Sequence, residues 1–160
     1  MSTPLRELVN HVPQTGTLQW IGLRPARRAP MQTVSVATLS TTDGLHGDRY
    51  GKAEGKRQVT LVQAEYLPVV AALTGHDRVA PGQLRRNLVI GGLNLWSAQD
   101  RQIRIGETVT LELTGRCYPC SRMEQTLGPG GYQAMRGHGG FTARVVSDGT
   151  IREGDAVVVV

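Results

Sequence analysis

IRIGETVTLEL, residues 103–113, is the stretch that decides the fold class, because apolar and polar side chains alternate along its second half. Val109, Leu111 and Leu113 would point to one face of an extended chain, and the Thr and Glu residues between them to the other. This period of two is typical of a β-strand with one face on an apolar core. The similar stretch IREGD, residues 151–155, also precedes a Val-rich segment, which predicts two equivalent corners that each turn into a strand.

Outward from this stretch, the chain consists of short apolar segments separated by turns, with 20 glycines and 8 prolines. A helix is predicted at residues 64–73, and two further short helices within the Gly- and Pro-rich segment 115–140. Strands are predicted at residues 17–23, 33–39, 59–62, 84–90, 141–146 and 156–160, and within residues 103–113. Many short strands with little helix favour a mainly β fold, either a closed β-barrel or a sandwich, with a few short helices.

The length of 160 residues fits one domain with an aliphatic core. We expect residues 1–16 to form an N-terminal arm and residues 17–160 the domain. One Phe, two Trp and four Tyr leave Val, Leu and Ile to fill the core. No apolar run approaches the roughly 20 residues that span a bilayer, and residues 1–10 lack a signal-peptide pattern. We therefore expect a cytoplasmic protein with no membrane partner.

The charge balance is basic, with 18 Lys and Arg against 13 Asp and Glu and a formal net charge of +5. Such a balance favours anionic partners. The basic residues are scattered, and the chain lacks an aromatic-rich platform on which bases could stack. We therefore expect no nucleic-acid partner and look for a small anionic ligand or an acidic protein.

The segment RCYPCSRME, residues 116–124, carries both cysteines of the chain, Cys117 and Cys120. A thiol acts as a nucleophile or metal ligand in its thiolate form, which nearby cations favour. Arg116 and Arg122 flank the pair, and a helix that begins directly after Cys120 would favour the thiolate further. The segment therefore predicts a reactive sulfur, first of all at Cys120.

The C-x-x-C spacing also has other interpretations. Both cysteines can be small buried core residues. A structural zinc site needs about four ligands, yet the chain has no second cysteine pair, and His46, His76 and His138 lack a helpful spacing. A thioredoxin-like redox motif would follow a strand in a βαβ pattern, which is absent from this sequence.

Basic residues recur in three groups along the chain. They are Arg24, Arg27 and Arg28; Arg49, Lys52, Lys56 and Arg57; and Arg85 with Arg86. Guanidinium groups bind phosphate with two hydrogen bonds, and Asn87 can add an amide hydrogen bond. If residues 84–90 form a strand, Arg85 and Asn87 share one face. The alternative is that these charges protect an edge strand from aggregation.

Two glycine-rich turns, LGPGGY at residues 127–132 and MRGHGG at residues 135–140, could bring backbone amides close to an anion. His138 lies in the second turn. Histidine is the usual proton shuttle near neutral pH, although a lone histidine is more often a hydrogen-bonded surface residue.

Together these stretches resemble the MOSC family, named for the C-terminal domain of molybdenum-cofactor sulfurases. The matching residues are 44–49, 57–61, 81–88, 103–106, 117–124 and 137–144, and the likeness covers roughly residues 17–160. The order and spacing of the motifs carry the resemblance. It implies a closed β-barrel related to that of pyruvate kinase, with a pocket at one mouth that contains an essential cysteine.

The family's Pro-Cys motif falls on Cys120, which the resemblance implies to be a catalytic residue and a metal ligand. Cys117 has no clear family counterpart, and we expect it to be a second catalytic residue. The expected cofactor-binding residues are Arg49, Lys56, Thr60, Arg85, Arg86, Asn87, Arg122 and His138. We expect Cys120 to bind molybdenum in a molybdopterin-type cofactor. Such a centre suits oxygen-atom transfer, for example the reduction of N-hydroxylated compounds.

Two alternatives stay open beside this expectation. In the first, Cys120 is a persulfide sulfur carrier that receives sulfur from a cysteine desulfurase, with Cys117 resolving it; pyridoxal phosphate (PLP) then belongs to that partner. In the second, the domain is a non-catalytic zinc-binding or interaction barrel. Other expected partners are a molybdenum-cofactor pathway protein and an electron-donor protein. Amidoxime-reducing members and fused sulfurases carry an additional domain before this one. In this sequence about sixteen residues precede the first strand, so we expect an open pocket or one completed by a partner.

Overall fold

Seven β-strands close into a barrel in the part of the chain that the computed structural model describes, residues 3–51 and 55–160. The described residues form eleven strands in all: β1 (Gly16–Leu23), β2 (Gln32–Val34), β3 (Val36–Ser40), β4 (Gly44–Leu45), β5 (Val59–Gln63), β6 (Leu88–Gly91), β7 (Gln102–Ile105), β8 (Val109–Arg116), β9 (Phe141–Ser147), β10 (Gly149–Arg152) and β11 (Ala156–Val159). The barrel order is β11-β7-β8-β9-β5-β6-β1, and β11 pairs back onto β1. The prediction of a mainly β closed barrel is confirmed.

The helices lie outside the barrel. They are α1 (Leu5–Asn10), α2 (Tyr66–Thr74), α3 (Ser121–Leu127) and α4 (Gly131–Met135), with 3-10 turns at Pro81–Leu84 and Leu95–Ala98. Strands β5 and β6 are parallel, so the chain must cross over between them, and α2 lies in that crossover. The predicted helix at residues 64–73 corresponds to α2. None of the helices in the described ranges has the length and apolar character needed to cross a bilayer.

Alternation of side chains builds the barrel interior. In β8, Val109, Leu111 and Leu113 are buried, whereas Thr110 and Glu112 are only half-buried, as the period of two predicts. A second apolar cluster lies between the outer face of the barrel and the helices, and it includes Val62, Val70, Val89, Met123, Leu127 and Met135. Strand β5 is buried along its whole length because one of its faces packs in the barrel and the other under this second cluster.

The two predicted corners are confirmed as turns. Gly106 and Gly154 both adopt positive φ angles, of 64° and 97°, in the turns that precede β8 and β11. Glycine adopts this backbone region without the steric cost that a Cβ imposes. The corners lie side by side, since the Gly106 amide donates to the carbonyl oxygen of Ala156 at 2.9 Å.

The predicted strand at residues 84–90 is wrong in its first half. The chain forms a 3-10 turn over Pro81–Leu84, and Arg85 then adopts a left-handed conformation with φ of 58°, so that β6 begins only at Leu88. The alternation that placed Arg85 and Asn87 on one face therefore does not apply. The predicted strand at residues 33–39 is likewise divided at Ser35, whose carbonyl oxygen accepts from the Glu153 amide at 2.9 Å.

Leu111→Ala tests the packing of the barrel interior. Leu111 is fully buried, and its truncation leaves a cavity, so we expect the free energy of unfolding to fall by about 2–5 kcal/mol. Urea unfolding followed by circular dichroism measures this change. Thr110→Ala is the matched control on the outward face of the same strand, with an expected loss within about 1 kcal/mol. Equal losses in the two variants would contradict the assignment of faces.

Candidate functional site

Seven arginines surround one cavity at the side of the barrel. The cavity has a volume of about 190 Å³ and is formed by the loop after β1, the loop after β4, the turn before β6 and the start of α3. Its lining residues are Arg24, Arg27, Arg28, Arg49, Arg85, Arg86 and Arg122, together with Tyr50, Cys120 and Met123. We call it the arginine cavity.

One of these arginines is paired with a buried carboxylate. Arg24 Nη2 lies 3.0 Å from Asp48 Oδ2, and the Arg24 amide donates to Asp48 Oδ1 at 2.7 Å. Burial opposes ionisation of Asp48, but the hydrogen bonds and charge of Arg24 outweigh it and hold the pKa of Asp48 below its usual value. For the other six, no carboxylate of residues 3–51 or 55–160 lies within 4 Å. The cavity is therefore strongly positive.

Asn87 holds this ion pair in place from the buried side. Its Nδ2 donates to the Gly22 carbonyl oxygen at 3.0 Å and to Asp48 Oδ1 at 2.9 Å, and its Oδ1 accepts from Arg24 Nη2 at 3.0 Å. The amide and hydroxyl of Thr60 donate to the same Oδ1 at 3.0 and 3.1 Å. Asn87 is fully buried and does not line the cavity. It acts as a link between β1, β5 and the loop that carries Asp48.

Arg86 carries a hydrogen-bond donor without a partner. The residue is only 7% exposed; its Nε donates to the Gly139 carbonyl oxygen at 2.7 Å and its Nη1 to the Leu84 carbonyl oxygen at 2.8 Å. Its buried Nη2 has no partner among the described atoms. Burial lowers the pKa of Arg86, and the nearby sulfurs of Cys117 and Cys120 act in the opposite direction. A buried unsatisfied donor is costly, which makes Nη2 a ready donor for an anion.

Backbone strain is concentrated at the arginine cavity. Apart from Asp100, the non-glycine residues with positive φ in the described ranges are Arg28, at 63°, and Arg85, at 58°. Arg85 is fixed further by a hydrogen bond from its Nη1 to the Ala29 carbonyl oxygen at 2.7 Å. Burial and the charges of Arg122, Arg24 and Arg49 lower the pKa of Arg85. Strained backbone at such a charged site is typical of functional positions.

A groove adjoins the arginine cavity. It has a volume of about 510 Å³ and shares Arg28, Arg85 and Arg122 with the cavity. Its further walls are mostly uncharged and include Trp20, Pro30, Met31 and Pro81. The two spaces together offer a positively charged end and a less polar extension.

A second cavity, of about 560 Å³, lies beside Cys117. It is lined by aromatic side chains and by Arg116 and Arg136, and we call it the aromatic cavity. Cys117 is 8% exposed, and its amide donates to the Gly140 carbonyl oxygen at 2.8 Å. Cys120 is exposed and lines the arginine cavity instead. The two cysteines therefore face different cavities. Arg86 interacts electrostatically with both of their sulfurs.

The structure brings together five of the predicted site residues. Cys120, Arg49, Arg85, Arg86 and Arg122 line the arginine cavity, while Thr60 and Asn87 support it from the buried side. Their roles toward a cofactor stay predictions. The helix predicted after Cys120 is present as α3.

Other predicted residues lie elsewhere. Cys117 lines the aromatic cavity, and the exposed Lys56 lines neither cavity, its carbonyl oxygen accepting a hydrogen bond from Thr114 Oγ1. His138 lines neither cavity; its Nδ1 lies 2.9 Å from the Ala134 carbonyl oxygen, and its ring meets the Tyr66 ring edge-on. Lys52 lies outside the described residues.

The glycine-rich turn at residues 127–132 does bind an anion, but the anion is a side chain of the protein. The amides of Gly130 and Tyr132 donate to the Glu124 carboxylate at 2.8 and 3.0 Å. These hydrogen bonds hold the pKa of Glu124 below its usual value. In the described ranges, no group of three or more His, Cys, Asp and Glu side chains is placed to hold a metal ion.

The sequence of residues 37–158 matches the MOSC domain family. The fold is similar to that of YuaD from Bacillus subtilis, with 18% identity, a TM-score of 0.78 and coverage of 92% of this chain and 97% of that one. It is also similar to YiiM from Geobacillus stearothermophilus (16% identity, TM-score 0.68, coverage 91% and 75%) and YiiM from Escherichia coli (18%, 0.67, 92% and 69%). No curated protein sequence gives a significant match.

Asp48→Asn tests the buried ion pair. Loss of the carboxylate leaves Arg24 buried without its counter-charge, so we expect the free energy of unfolding at pH 7 to fall by about 3 kcal/mol. The pKa of Asp48 is lower in the folded than in the unfolded state. Its contribution to stability is therefore complete above the pKa of the unfolded state, about 3.8, and is lost as the pH falls through the pKa of the folded state. The gap between wild type and variant should therefore narrow below about pH 4.

Urea unfolding at several pH values measures this gap. The exposed Asp77→Asn is the matched control and should change stability by less than about 0.5 kcal/mol. A gap that stays constant down to the acid unfolding of the protein would count against the ion pair.

Proposed function

Because the chain belongs to the MOSC domain family, we propose that it binds a molybdopterin-type cofactor in the arginine cavity, with the Cys120 thiolate as a ligand of molybdenum. The observation that carries this proposal is the placement of an exposed cysteine among seven arginines, six of which have no carboxylate partner within residues 3–51 and 55–160. Such a site attracts an anion and offers it a soft sulfur donor at the same time.

The residues present fit the chemistry of this cofactor. Its phosphate suits the guanidinium groups of Arg49, Arg85 and Arg122, which can donate paired hydrogen bonds. Arg86 also lines the cavity and adds a further positive charge. The adjoining groove, with Trp20 on its wall, has room for a flat heterocycle.

Each group of the protein has a separate task in this proposal. The arginines bind and orient the phosphate, and Cys120 supplies the thiolate. Asp48 and Asn87 hold Arg24 so that the loop after β1 stays against the cavity. When bound, the cofactor would supply an oxo-molybdenum centre for oxygen-atom transfer, such as the reduction of N-hydroxylated compounds.

The exposure of Cys120 favours a second candidate function, that of a sulfur carrier. In that case the Cys120 thiolate attacks the outer sulfur of a persulfide on a PLP-dependent cysteine desulfurase. A new S–S bond forms at Cys120, the S–S bond of the donor breaks, and the donor cysteine leaves as a thiolate. Cys117 is buried against another cavity, which does not favour a resolving role for it.

Cofactor content tests the first function. We expect wild-type protein from a cofactor-competent host to contain molybdenum and a pterin, measured by elemental analysis and by the fluorescence of the released pterin. Arg85→Gln with Arg122→Gln should lower the pterin content at least about tenfold, since two phosphate-binding groups are lost. Cys120→Ser should retain most of the pterin and abolish the reduction of N-hydroxylated compounds.

Arg104→Gln, an exposed arginine of β7, is the matched control and should leave both contents unchanged. Wild-type protein that contains neither molybdenum nor pterin, with Cys120 unmodified, would contradict the proposal.

Sulfur transfer is measured on the same preparations. After incubation with a cysteine desulfurase and cysteine, the sulfur-carrier function predicts the gain of one sulfur atom in intact-protein mass spectrometry. Cys120→Ser should lose this gain, whereas Cys117→Ser should keep it, because only Cys120 is exposed. A gain of wild-type size in Cys120→Ser would exclude Cys120 as the carrier.

A further inference from the structure

The aromatic cavity collects most of the aromatic residues of the chain. The sequence contains one Phe, two Trp and four Tyr, and five of these seven residues line this cavity. They are Tyr66, Trp96, Tyr118, Tyr132 and Phe141. Trp96 and Phe141 form the inner part, with their rings edge-to-face at 5.2 Å. An assembly of aromatic side chains from five separate segments favours a flat aromatic ligand.

The rim of the cavity is aromatic and exposed. Tyr118 is 68% exposed and Tyr132 is 42% exposed, although both rings border a space large enough for a bicyclic molecule. Clustered aromatic rings at the mouth of a cavity are typical of binding sites, because each ring supplies a rigid contact surface.

The charge of the cavity is positive. Arg116 lies over the rings of both Trp96 and Tyr118, at 5.2 Å from each centroid, which fixes the guanidinium at the cavity wall. Arg136 also lines the cavity, and no Asp or Glu does so. Neither arginine has a carboxylate within 4 Å in the part of the chain that the structure describes. A cavity with this charge favours a negatively charged ligand.

The buried polar side chain that lines the cavity, Gln63, is already satisfied. Gln63 donates from Nε2 to the carboxylate of Glu65 at 2.6 Å and to the Leu93 carbonyl oxygen at 2.7 Å, and its Oε1 accepts from the Leu95 amide at 2.9 Å. Polar recognition is thus left to the arginines, while the floor offers apolar contact. This division suits an aromatic ring with one acidic group better than a sugar or a peptide.

One wall of the cavity is bare backbone. A Cβ on Gly139 would lie 2.1 Å from the Cys117 carbonyl oxygen, and one on Gly140 would lie 1.8 Å from the Leu61 carbonyl oxygen. Both positions therefore require glycine, and the wall keeps its shape without side chains that could move into the space. A preformed cavity reduces the conformational entropy that the protein loses when a ligand binds.

We propose that the aromatic cavity is a binding site for a planar aromatic carboxylate, or an aromatic anion of similar size, held by Arg116 and Arg136. The site is lined by Cys117 and not by Cys120, so it does not depend on the proposed cofactor. The ring packs between the aromatic walls, and the acidic group lies at the two guanidinium groups near the rim.

Three related compounds test this proposal on protein from a host that cannot make the pterin cofactor. They are naphthalene-2-carboxylate, its neutral carboxamide, and cyclohexanecarboxylate, which keeps the charge but not the flat ring. Since the chain has two tryptophans, a Trp20→Phe background leaves Trp96 as the only tryptophan, whose fluorescence can be excited selectively, and it lines the cavity. We expect saturable quenching by naphthalene-2-carboxylate, with at least about tenfold weaker binding of the other two compounds.

Variants separate this site from the arginine cavity. Arg116→Gln with Arg136→Gln should weaken carboxylate binding about tenfold or more and change carboxamide binding by less than about twofold. Arg104→Gln and the pair Arg85→Gln with Arg122→Gln should leave all three affinities unchanged. Because Arg116 and Arg136 are exposed, we expect both substitutions to leave the protein folded, which the midpoint of unfolding checks. Equal affinity for the three compounds, no saturable binding at millimolar concentration, or loss of binding only in the Arg85 and Arg122 variant would each overturn the proposal.

Discussion

The buried carboxylate of Asp48 is the constraint on which the site depends. It accepts hydrogen bonds from the backbone and side chain of Arg24 and from the side-chain amide of Asn87. Asn87 is in turn hydrogen-bonded to Gly22 and Thr60. One network thereby joins β1, β5, the start of β6 and the loop that carries Asp48. Removing one member of such a network leaves the others buried without partners, which is more costly than the loss of a single hydrogen bond.

This network neutralises only Arg24, so the repulsion among the other arginines of the cavity remains. Arginines that face one another repel, and the lowered pKa of Arg85 reflects the charges of its neighbours as well as its burial. The left-handed backbone at Arg28 and Arg85 adds strain. Neither feature contributes to stability, so both are understandable where the protein must attract an anion. The barrel, with its separate aliphatic core, supplies the stability that the cavity lacks.

The parts of the structure that follow a local period could be predicted from the sequence, and the parts that depend on long-range convergence could not. Strand β8 and helix α2 have clear patterns, and the cysteine segment pointed to the start of α3. The turn before β6 was missed because its apolar residues suit either a strand or a 3-10 turn. The aromatic cavity was missed because its five aromatic residues lie in separate segments from Tyr66 to Phe141, and no spacing along the chain shows that they meet.

The fate of the two cysteines follows from the elements on either side of them. Cys117 comes directly after β8 and stays tied to the neighbouring segment through its hydrogen bond with Gly140. Cys120 has extended backbone and precedes α3, which turns the chain toward the loops with the arginines. A pair that shares one C-x-x-C motif is thus divided between an aromatic and a cationic environment. The spacing alone suggests one redox or metal site, whereas the surroundings suggest two binding sites with Arg86 between them.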